Sequence, residues 1–404
     1  MNSEPGVDAT RPIVRGKGLW AAAVVLVALN LRPTIVAVSP LLDEISADLE
    51  LTSFTAGMLM TLPVLCFGAL GPLAPVFARR FGLERSLGLV LVLIIVGSAV
   101  RLHPSVFGLF LGTFFVGAGI ALGNILLPAL IKRDFPDRVG LMSGLFSMAL
   151  TGGATLAAGV TLPVAQSAGL DWSVTLALWG VFALVALVCW VPYIRSALGS
   201  ALVRRGTDGS LARDRVAWWV TAMFGLQSLN FYSMTAWLPT MLIAAGSDAV
   251  FAGLMLSLVN FASIPAATFA PMLAGRLRSQ AWMGVVIGVP YVIAHVGLIW
   301  WTLDFPALWA ILLGIGQGAT ISLALTLIVL RSPTADVATT LSGMSQSWGY
   351  LFAAAGPLTL GLLNDLTGSW VIPLLVLLVL VVPQTWTSYL AGLPRMVRPS
   401  SRLD

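Results

Sequence analysis

The sequence predicts an all-α polytopic membrane protein, in which twelve transmembrane helices form two pseudo-symmetric halves of six helices each. Composition is the first observation behind this prediction: of 404 residues, 58% are hydrophobic and only 10% are charged. A soluble domain of this size needs far more polar surface. We therefore expect lipid to surround most of the chain. The distribution of basic residues and an internal repeat are the other two observations.

Apolar segments of about 20 residues cross a bilayer as helices, because lipid offers no partner for an unpaired backbone N–H or C=O group. The first half contains six such segments, at 18–45, 53–78, 86–102, 106–131, 139–165 and 172–194. The second half contains six more, at 216–245, 249–274, 281–302, 307–330, 337–363 and 370–390. The first segment follows basic residues, as a signal peptide does, but it is too long for the apolar region of a signal.

Basic residues test this topology, because Lys and Arg gather in cytoplasmic loops. With both termini in the cytoplasm, 20 of the 22 basic residues fall on the cytoplasmic side. The exceptions are Arg101, at the outer end of the third segment, and Arg32, within the first. A miscounted helix would invert every later loop, so the pattern supports an even number of helices.

The chain also repeats itself at an offset of about 196 to 200 residues. Residues 73–80 (LAPVFARR) parallel residues 269–276 (FAPMLAGR), and Asn30 pairs with Asn230. The predicted organisation is a cytoplasmic tail at 1–17, a six-helix half at 18–194, a cytoplasmic linker at 195–215, a second half at 216–390 and a cytoplasmic tail at 391–404. Two such halves are typical of solute carriers, whose site lies near the midplane between them.

Several other functional classes are disfavoured by what the sequence lacks. Cys66 and Cys189 are isolated within apolar segments, so neither a disulfide framework nor a metal cluster is indicated. No phosphate-binding Gly-x-x-x-x-Gly-Lys-Ser/Thr run occurs. The basic residues lie in short loops, which argues against nucleic acid. We expect no enzymatic activity, catalytic residue, metal, cofactor, nucleic-acid partner or ATPase partner.

Arg32 is the leading candidate for a solute-binding residue. An arginine in the middle of a spanning helix is costly and usually faces a cavity or a partner. No Asp or Glu lies in the interior of a predicted helix to pair with it, and Asp43, where the first segment passes into the outer loop, is about 16 Å away along a helix. A solute that is negative or electron-rich would complete the guanidinium fork. The alternative is a structural Arg32 bound to carbonyls, Gln or Tyr.

Further polar residues recur at helical spacing within the predicted helices, so that pairs of them share a face. Each buried amide or hydroxyl needs a partner, and it either lines the solute path or bonds to a neighbouring helix. The candidates are Gln227, Asn230, Asn260, Gln317, Gln346 and Tyr350, with Asn124 toward the cytoplasmic end of the fourth helix. His295 fits a structural role better than a proton relay, because no acid or second histidine is near it in the sequence.

Several motifs are similar to those of one transporter family. The first helix carries Leu29-Asn30-Leu31-Arg32-Pro33, and the fourth carries residues 119–128 (GIALGNILLP), followed by residues 131–136 (IKRDFP). Residues 236–239 (AWLP) and 341–347 (LSGMSQS) add to the match. On these residues the chain resembles, over nearly its full length, the major facilitator superfamily and, within it, the cyanate permease and 2-nitroimidazole transporter family.

The resemblance implies the major facilitator fold and adds Asn30 to the expected central site beside Arg32. It also implies a cytoplasmic gate after the second helix. There the superfamily pattern Gly-x-x-x-Asp-Arg-x-Gly-x-Arg-Arg is matched by Arg80, Gly82 and Arg85. Pro75 and Arg79 replace its Gly and Asp. We therefore expect Asp134 or Asp137 to supply the charge pairing of the gate.

The expected function is secondary active or facilitative transport of a small anionic or polar solute, such as a cyanate-like anion or a nitroimidazole-like compound, by alternating access. The expected location is the bacterial inner membrane, and the expected partners are the lipid bilayer and the solute. A proton-coupled multidrug or toxic-compound exporter is an alternative, although the fourth helix lacks the arginine, and the fifth the Gly-Pro step, of such antiporters. A membrane channel or receptor is a further alternative, which the repeat disfavours.

Overall fold

Sixteen α-helices make up nearly all of the regular structure in the computed structural model, which describes residues 17–135, 138–196 and 211–398. Within those ranges no β-strand occurs. The first half contains α1 (Lys17–Leu29), α2 (Pro33–Val36), α3 (Leu42–Asp48), α4 (Ser53–Leu70), α5 (Ala74–Phe81), α6 (Leu83–Val100), α7 (Val106–Asp134), α8 (Val139–Ala168) and α9 (Trp172–Ser196). The second half contains α10 (Arg215–Ala244), α11 (Ala249–Ala274), α12 (Ala281–Trp300), α13 (Pro306–Leu330), α14 (Ala335–Ala353), α15 (Ala355–Thr367) and α16 (Val371–Ala391).

Ten helical stretches in the described ranges are long and apolar enough to cross a membrane. They coincide with ten of the twelve segments expected from the sequence. The remaining two segments are also helical, as α10 and as the α14–α15 pair. Both are richer in polar residues, since α10 carries Gln227 and Asn230 and α14 carries Gln346. The prediction of an all-α, multi-spanning protein is confirmed.

The first spanning segment contains a break that the sequence analysis did not anticipate. Helix α1 ends at Leu29, and α2 begins at Pro33. A proline restricts the backbone of the residue before it, and Arg32 has φ −129°, which is outside the helical range, with ψ −40°. After the break, the chain continues through α2 and a 3₁₀ turn at Ser39–Leu41 into α3.

The chain beyond the break is helical where a loop was expected. Asp43 was expected at the start of an outer loop, but it lies on the short helix α3 together with Glu44 and Asp48. The 3₁₀ turn joins α3 directly to the segment that contains the break, so the first span continues as helix beyond its expected end.

The two ends of the helix bundle differ in charge, and we name them accordingly. The basic end carries Arg85, Arg133 and Arg276, and the acidic end carries Asp48 and Asp171. Helix α7 runs from one end of the bundle to the other. Its first residue, Val106, lies at the acidic end, and its last residues, which include Arg133, lie at the basic end.

The two halves are joined by hydrogen bonds at the acidic end. The carboxylate of Asp365, at the end of α15, accepts hydrogen bonds from the Ser53 and Phe54 N–H groups at the start of α4, at 3.0 and 2.6 Å. The Ser53 hydroxyl donates to Asn364 Oδ1 at 3.0 Å. These contacts place a negative charge on the first turn of α4, where free N–H groups and the helix dipole favour it. We call this set of contacts the acidic-end clasp.

Between its acidic end and the centre, α4 packs closely against α14 and α15. A Cβ on Gly57 would lie 2.8 Å from the Pro357 carbonyl oxygen, and one on Gly68 would lie 2.7 Å from the Leu351 side chain. Two turns closer to the basic end, Gly343 has no atom within 4 Å of such a Cβ. The two helices therefore separate toward the basic end.

Helices α8 and α11 separate in the same direction. A Cβ on Gly159 would lie 3.0 Å from Ser257 Oγ, and the Ser257 hydroxyl donates to the Thr155 carbonyl at 2.9 Å. Gly152, about two turns closer to the basic end of α8, has open space around it. The two halves thus enclose a cleft that is closed at the acidic end and open at the basic end.

The orientation of the chain in the membrane remains a prediction that cysteine labelling checks. In a chain without its two native cysteines, cysteines replacing Arg85 and Arg276 should react with an impermeant thiol reagent only from the cytoplasm. Cysteines replacing Glu50 and Asp171 should react only from outside. All four positions are exposed, so packing does not limit the reaction. Opposite labelling of any two positions in oriented vesicles contradicts the twelve-helix topology.

A second prediction concerns the acidic-end clasp. Asp365→Ala removes a carboxylate cap, a change that costs about 0.5 to 2 kcal/mol at a helix N-terminus. It should raise the rate at which a cysteine replacing the buried Thr61 reacts from the acidic end, by about fivefold. Asp304→Ala is the control, because Asp304 is also exposed but forms no ion pair with any described residue. Equal reaction rates in the two variants would show that the clasp does not hold this end closed.

Candidate functional site

The residue singled out by the sequence lies where the two halves meet. Arg32, at the helix break, is half-buried, and its Cζ atom lies 5.1 Å from the ring centroid of Phe231 on α10. A guanidinium group over an aromatic face is attracted by the ring quadrupole. The break and the ring together place the cation at the interface between the halves.

The guanidinium of Arg32 forms neither an ion pair nor a hydrogen bond with any residue that the structure describes, although the Arg32 backbone carbonyl accepts from the Ile35 and Val36 N–H groups. The carboxylate of Asp43, the nearest acid along the first span, accepts a hydrogen bond from the Thr240 hydroxyl at 3.0 Å. The guanidinium fork thus keeps its hydrogen-bond donors free at the centre of the molecule.

A cluster of five aromatic side chains lines this region: Phe67, Phe224, Phe231, Tyr232 and Tyr350. The Tyr350 ring lies 5.5 Å from Phe67 and 5.2 Å from Phe224, both edge-on. Tyr232 lies 5.1 Å from Phe231 and 6.1 Å from Phe67. We call this set the central aromatic cluster. It spans both halves, since Phe67 belongs to α4 and the other rings to α10 and α14.

Of the other site candidates from the sequence, Tyr350 lies in the central aromatic cluster, where it reaches the Phe231 ring beside Arg32 through Tyr232. Gln227 lies on the same face of α10 as Phe224 and Phe231, at helical spacings of three and four residues. It is buried, and its Oε1 accepts a hydrogen bond from the Ser228 hydroxyl at 3.2 Å.

Three asparagines expected near the solute have partners elsewhere. The amide of Asn30 donates to the Leu26 carbonyl at 2.8 Å, and that of Asn260 donates to the Leu256 carbonyl at 2.9 Å. Each bond closes one turn of the same helix. The Asn230 amide lies 3.3 Å from His295 Nε2. All three are buried, and their amide nitrogens have partners within one half in this conformation, whereas Asn230 Oδ1 has no partner among the described residues.

The remaining candidates are dispersed. Gln317 is buried on α13 with its amide nitrogen unpaired among the described residues. Gln346 donates to the Ser342 hydroxyl at 2.8 Å, and Asn124 is half-buried on α7. His295 is fully buried, and its Nδ1 lies 2.8 Å from the Tyr291 carbonyl oxygen. These contacts describe a structural histidine within the second half.

Sequence reasoning missed four members of the aromatic cluster: Phe67, Phe224, Phe231 and Tyr232. A signal for two of them was available, because Phe224 and Phe231 lie seven residues apart and flank Gln227 on one helix face. Aromatic residues are common in spanning helices, however, and their spacing alone does not separate a site from ordinary packing.

The expected cytoplasmic gate contains a charge network at the basic end. Arg133 forms an ion pair with Glu84 and a bidentate pair with Asp134, at 2.6 and 2.9 Å. The Trp20 indole donates to the same Asp134 carboxylate at 3.2 Å. Burial lowers the pKa of Arg133, but its hydrogen bonds to the two carboxylates outweigh burial and raise that pKa above the ordinary value. Glu84, which the sequence analysis did not select, therefore belongs to the network with Asp134.

The other gate candidates lie in and on either side of the turn between α5 and α6: Gly82 forms the turn, Arg80 lies at the end of α5, and Arg85 lies in the first turn of α6. Arg80 is exposed and lies 5.5 Å over the ring of Phe81, and Arg85 is exposed. Gly82 has φ 82°, a left-handed conformation that favours glycine. Asp137 lies outside the described residues.

Chemically, the centre of the molecule offers a guanidinium, that of Arg32, with no hydrogen-bond partner among the described residues, beside a set of aromatic faces and edges. A guanidinium fork matches oxygen pairs such as those of carboxylate or nitro groups, and rings stack on flat solutes. This combination suits a small flat solute with a negative or electron-rich end.

Three known proteins are similar to this chain over most of its length. It is 40% identical over 380 residues to the uncharacterized transporter YycB of Bacillus subtilis (strain 168), with 94% of each chain covered. It is 38% identical over 386 residues to the 2-nitroimidazole transporter of Escherichia coli (strain K12), covering 93% of this chain and 96% of the relative. It is 30% identical over 347 residues to the cyanate transport protein CynX of the same organism, covering 86% and 90%.

Solved structures of transporters have a similar fold. A bacterial homolog of the human lysosomal transporter Spinster, in an inward-facing and occupied conformation, superposes with a TM-score of 0.74 at 15% identity, covering 92% of this chain and 96% of that one. The chain also matches the Major Facilitator Superfamily over residues 23–357. It is therefore a member of the Major Facilitator Superfamily and a transporter of small solutes in a membrane.

Proposed function

We propose that this transporter moves a small anionic or nitro-bearing solute across the bacterial inner membrane by alternating access, with Arg32 binding the solute at the centre. The observation that carries the proposal is the guanidinium of Arg32, which lies over Phe231 between the two halves and has no ion-pair or hydrogen-bond partner in the part of the chain that the structure describes. Burying a charge without a counter-charge is costly. A solute that supplies the missing negative end offsets that cost.

The relatives narrow the chemistry of the solute. A nitroimidazole is flat and carries a nitro group, and cyanate is a small linear anion. Both present electron-rich atoms to the guanidinium fork, and the flat one also offers a ring face. The central aromatic cluster favours the flat compound, because stacked or edge-to-face rings add about 0.5 to 1.5 kcal/mol beyond buried area.

The cleft supports alternating access as the mechanism. It is open at the basic end and closed by the clasp at the acidic end, so a solute at Arg32 communicates with one side only. Transport then requires that the halves separate at the acidic end and approach each other at the basic end. A proton-coupled exporter fits less well, since the described central region places no carboxylate beside Arg32. Facilitated transport or exchange therefore fits the site better than proton coupling.

Replacement of Arg32 tests the central claim. Arg32→Lys keeps the charge but loses the planar fork, and Arg32→Gln keeps donors but loses the charge. Both should weaken binding of 2-nitroimidazole and of cyanate by about 1.5 to 3 kcal/mol, the scale of a charged hydrogen bond. The measurements are solute affinity and the melting temperature of the solute-free protein. Unchanged affinity in Arg32→Gln would end the proposal, and a lowered melting temperature with normal affinity would make Arg32 structural.

Replacement of Phe231 separates the two kinds of solute. Phe231→Leu removes the ring beside Arg32 and should weaken 2-nitroimidazole binding by about 0.5 to 1.5 kcal/mol, with a smaller effect on cyanate, which has no ring to stack. Phe261→Leu is the matched control, since Phe261 is 62% exposed on the outer surface of α11. Equal losses for both solutes would argue against stacking. Isothermal titration of the purified variants supplies the affinities.

A further inference from the structure

Arg101 is the other basic residue that the topology leaves unexplained. It directly follows α6, and its side chain is fully buried, with 0% of its surface exposed. No described acid forms an ion pair with it. Burying a charge in this position costs desolvation free energy, so we expect its hydrogen bonds to have a role that an apolar side chain could not fill.

The guanidinium of Arg101 joins two neighbouring helices. Its Nη1 donates to the Thr34 backbone carbonyl at 2.8 Å, and its Nη2 donates to Thr113 Oγ1 on α7 at 2.9 Å. Gly112 leaves room for the side chain, since a Cβ there would lie 2.7 Å from Arg101 Cγ. Thr34 belongs to α2 and lies two residues after Arg32.

The Thr34 carbonyl needs this donor because of the local geometry of the first span. In a regular α-helix it would accept from the Val38 N–H group. That group bonds instead to the Ile35 carbonyl at 3.2 Å, as the chain tightens toward the 3₁₀ turn. The carbonyl would then be unpaired in the interior of a membrane protein, where an unpaired backbone group is costly.

We infer that Arg101 is a positioning residue: by binding the Thr34 carbonyl it fixes the backbone of the break, and so it directs Arg32 toward Phe231 and the solute. The inference rests on the proposed function, in which Arg32 binds the solute. Arginine suits the task because its fork reaches two acceptors on different helices at fixed angles. Lysine offers no such fork.

Arg331 is a second buried arginine that binds backbone carbonyls, but it lies far from the break. It is also buried, and it bonds to Gln280 and to the carbonyls of Ala391 and Gly392, at 2.8 and 2.9 Å for the carbonyls. These contacts join helix ends at the basic end, away from the break. Arg331→Met is therefore a matched control for the loss of a buried, carbonyl-binding arginine.

The first experiment uses no solute. A cysteine replaces Arg32 in a chain that lacks the native cysteines, and its rate of reaction with a small thiol reagent reports the backbone position at the break. Arg101→Met and Arg101→Lys should each change that rate by about fivefold or more, whereas Arg331→Met should leave it unchanged at a comparable loss of melting temperature. Equal rates in all variants would overturn the inference. If the Arg101 variants do not fold, Thr113→Val is used instead. It removes the hydroxyl that accepts from Arg101 Nη2, and it should change the labelling rate in the same way.

The second experiment retains Arg32 and measures affinity for 2-nitroimidazole and cyanate. Arg101→Lys should weaken binding of the probe by about tenfold, and Arg331→Met should not. In Arg32→Gln, Arg101→Lys should have no further effect, because the two residues act in series. A changed labelling rate with unchanged affinity would overturn the link to the solute. If no probe binds even the unaltered protein, the proposed solute is wrong, and the labelling experiment still decides whether Arg101 positions the break.

Discussion

The break in the first span shapes the centre of this transporter, because lipid cannot hydrogen-bond to the backbone that the break exposes. Pro33 ends the regular helix, and the tightened turn after it leaves the Thr34 carbonyl without a helical partner. The donor comes from Arg101, beyond the end of α6 and packed against α7. The backbone beside Arg32 is thus held by two neighbouring helices, and its geometry depends on the packing of the whole first half.

The internal repeat allows the broken first span to be compared with its equivalent in the second half, α10. Asn30 and Asn230 occupy equivalent positions, but Ser233 stands where the first half has Pro33, and α10 runs unbroken over 30 residues. The equivalent segment of the second half contributes rings instead of a charge: Phe231 and Tyr232. The symmetry of the fold places the two segments opposite each other, and the departure from symmetry gives one half the cation and the other half most of the aromatic surface.

Periodicity and charge were enough to predict the helices and their halves, because apolar length and loop charge follow directly from the bilayer. Arg32 was also identifiable, since a charge within an apolar segment is conspicuous. Phe67 and Phe231 were not, because an aromatic residue in a spanning helix resembles packing until its neighbours on other helices are known. Glu84 was missed, and Arg101 was noted only as an exception to the charge pattern, for a related reason. Their roles depend on contacts with Arg133 and Thr34, which lie 49 and 67 residues away along the chain.

The contacts between the halves determine which conformational change a bound solute has to favour. Near the acidic end the halves meet through close backbone approaches, such as Gly57 against the Pro357 carbonyl, and through the clasp. Toward the basic end they do not touch at Gly343. A ligand shifts such an equilibrium only by its difference in affinity for the two states. A solute held by Arg32 alone would contact one half and bind both states equally. A solute held between Arg32 and Phe231 contacts both halves, so its affinity depends on their separation. The pairing of a cation from one half with rings from the other is therefore what would couple solute binding to the motion.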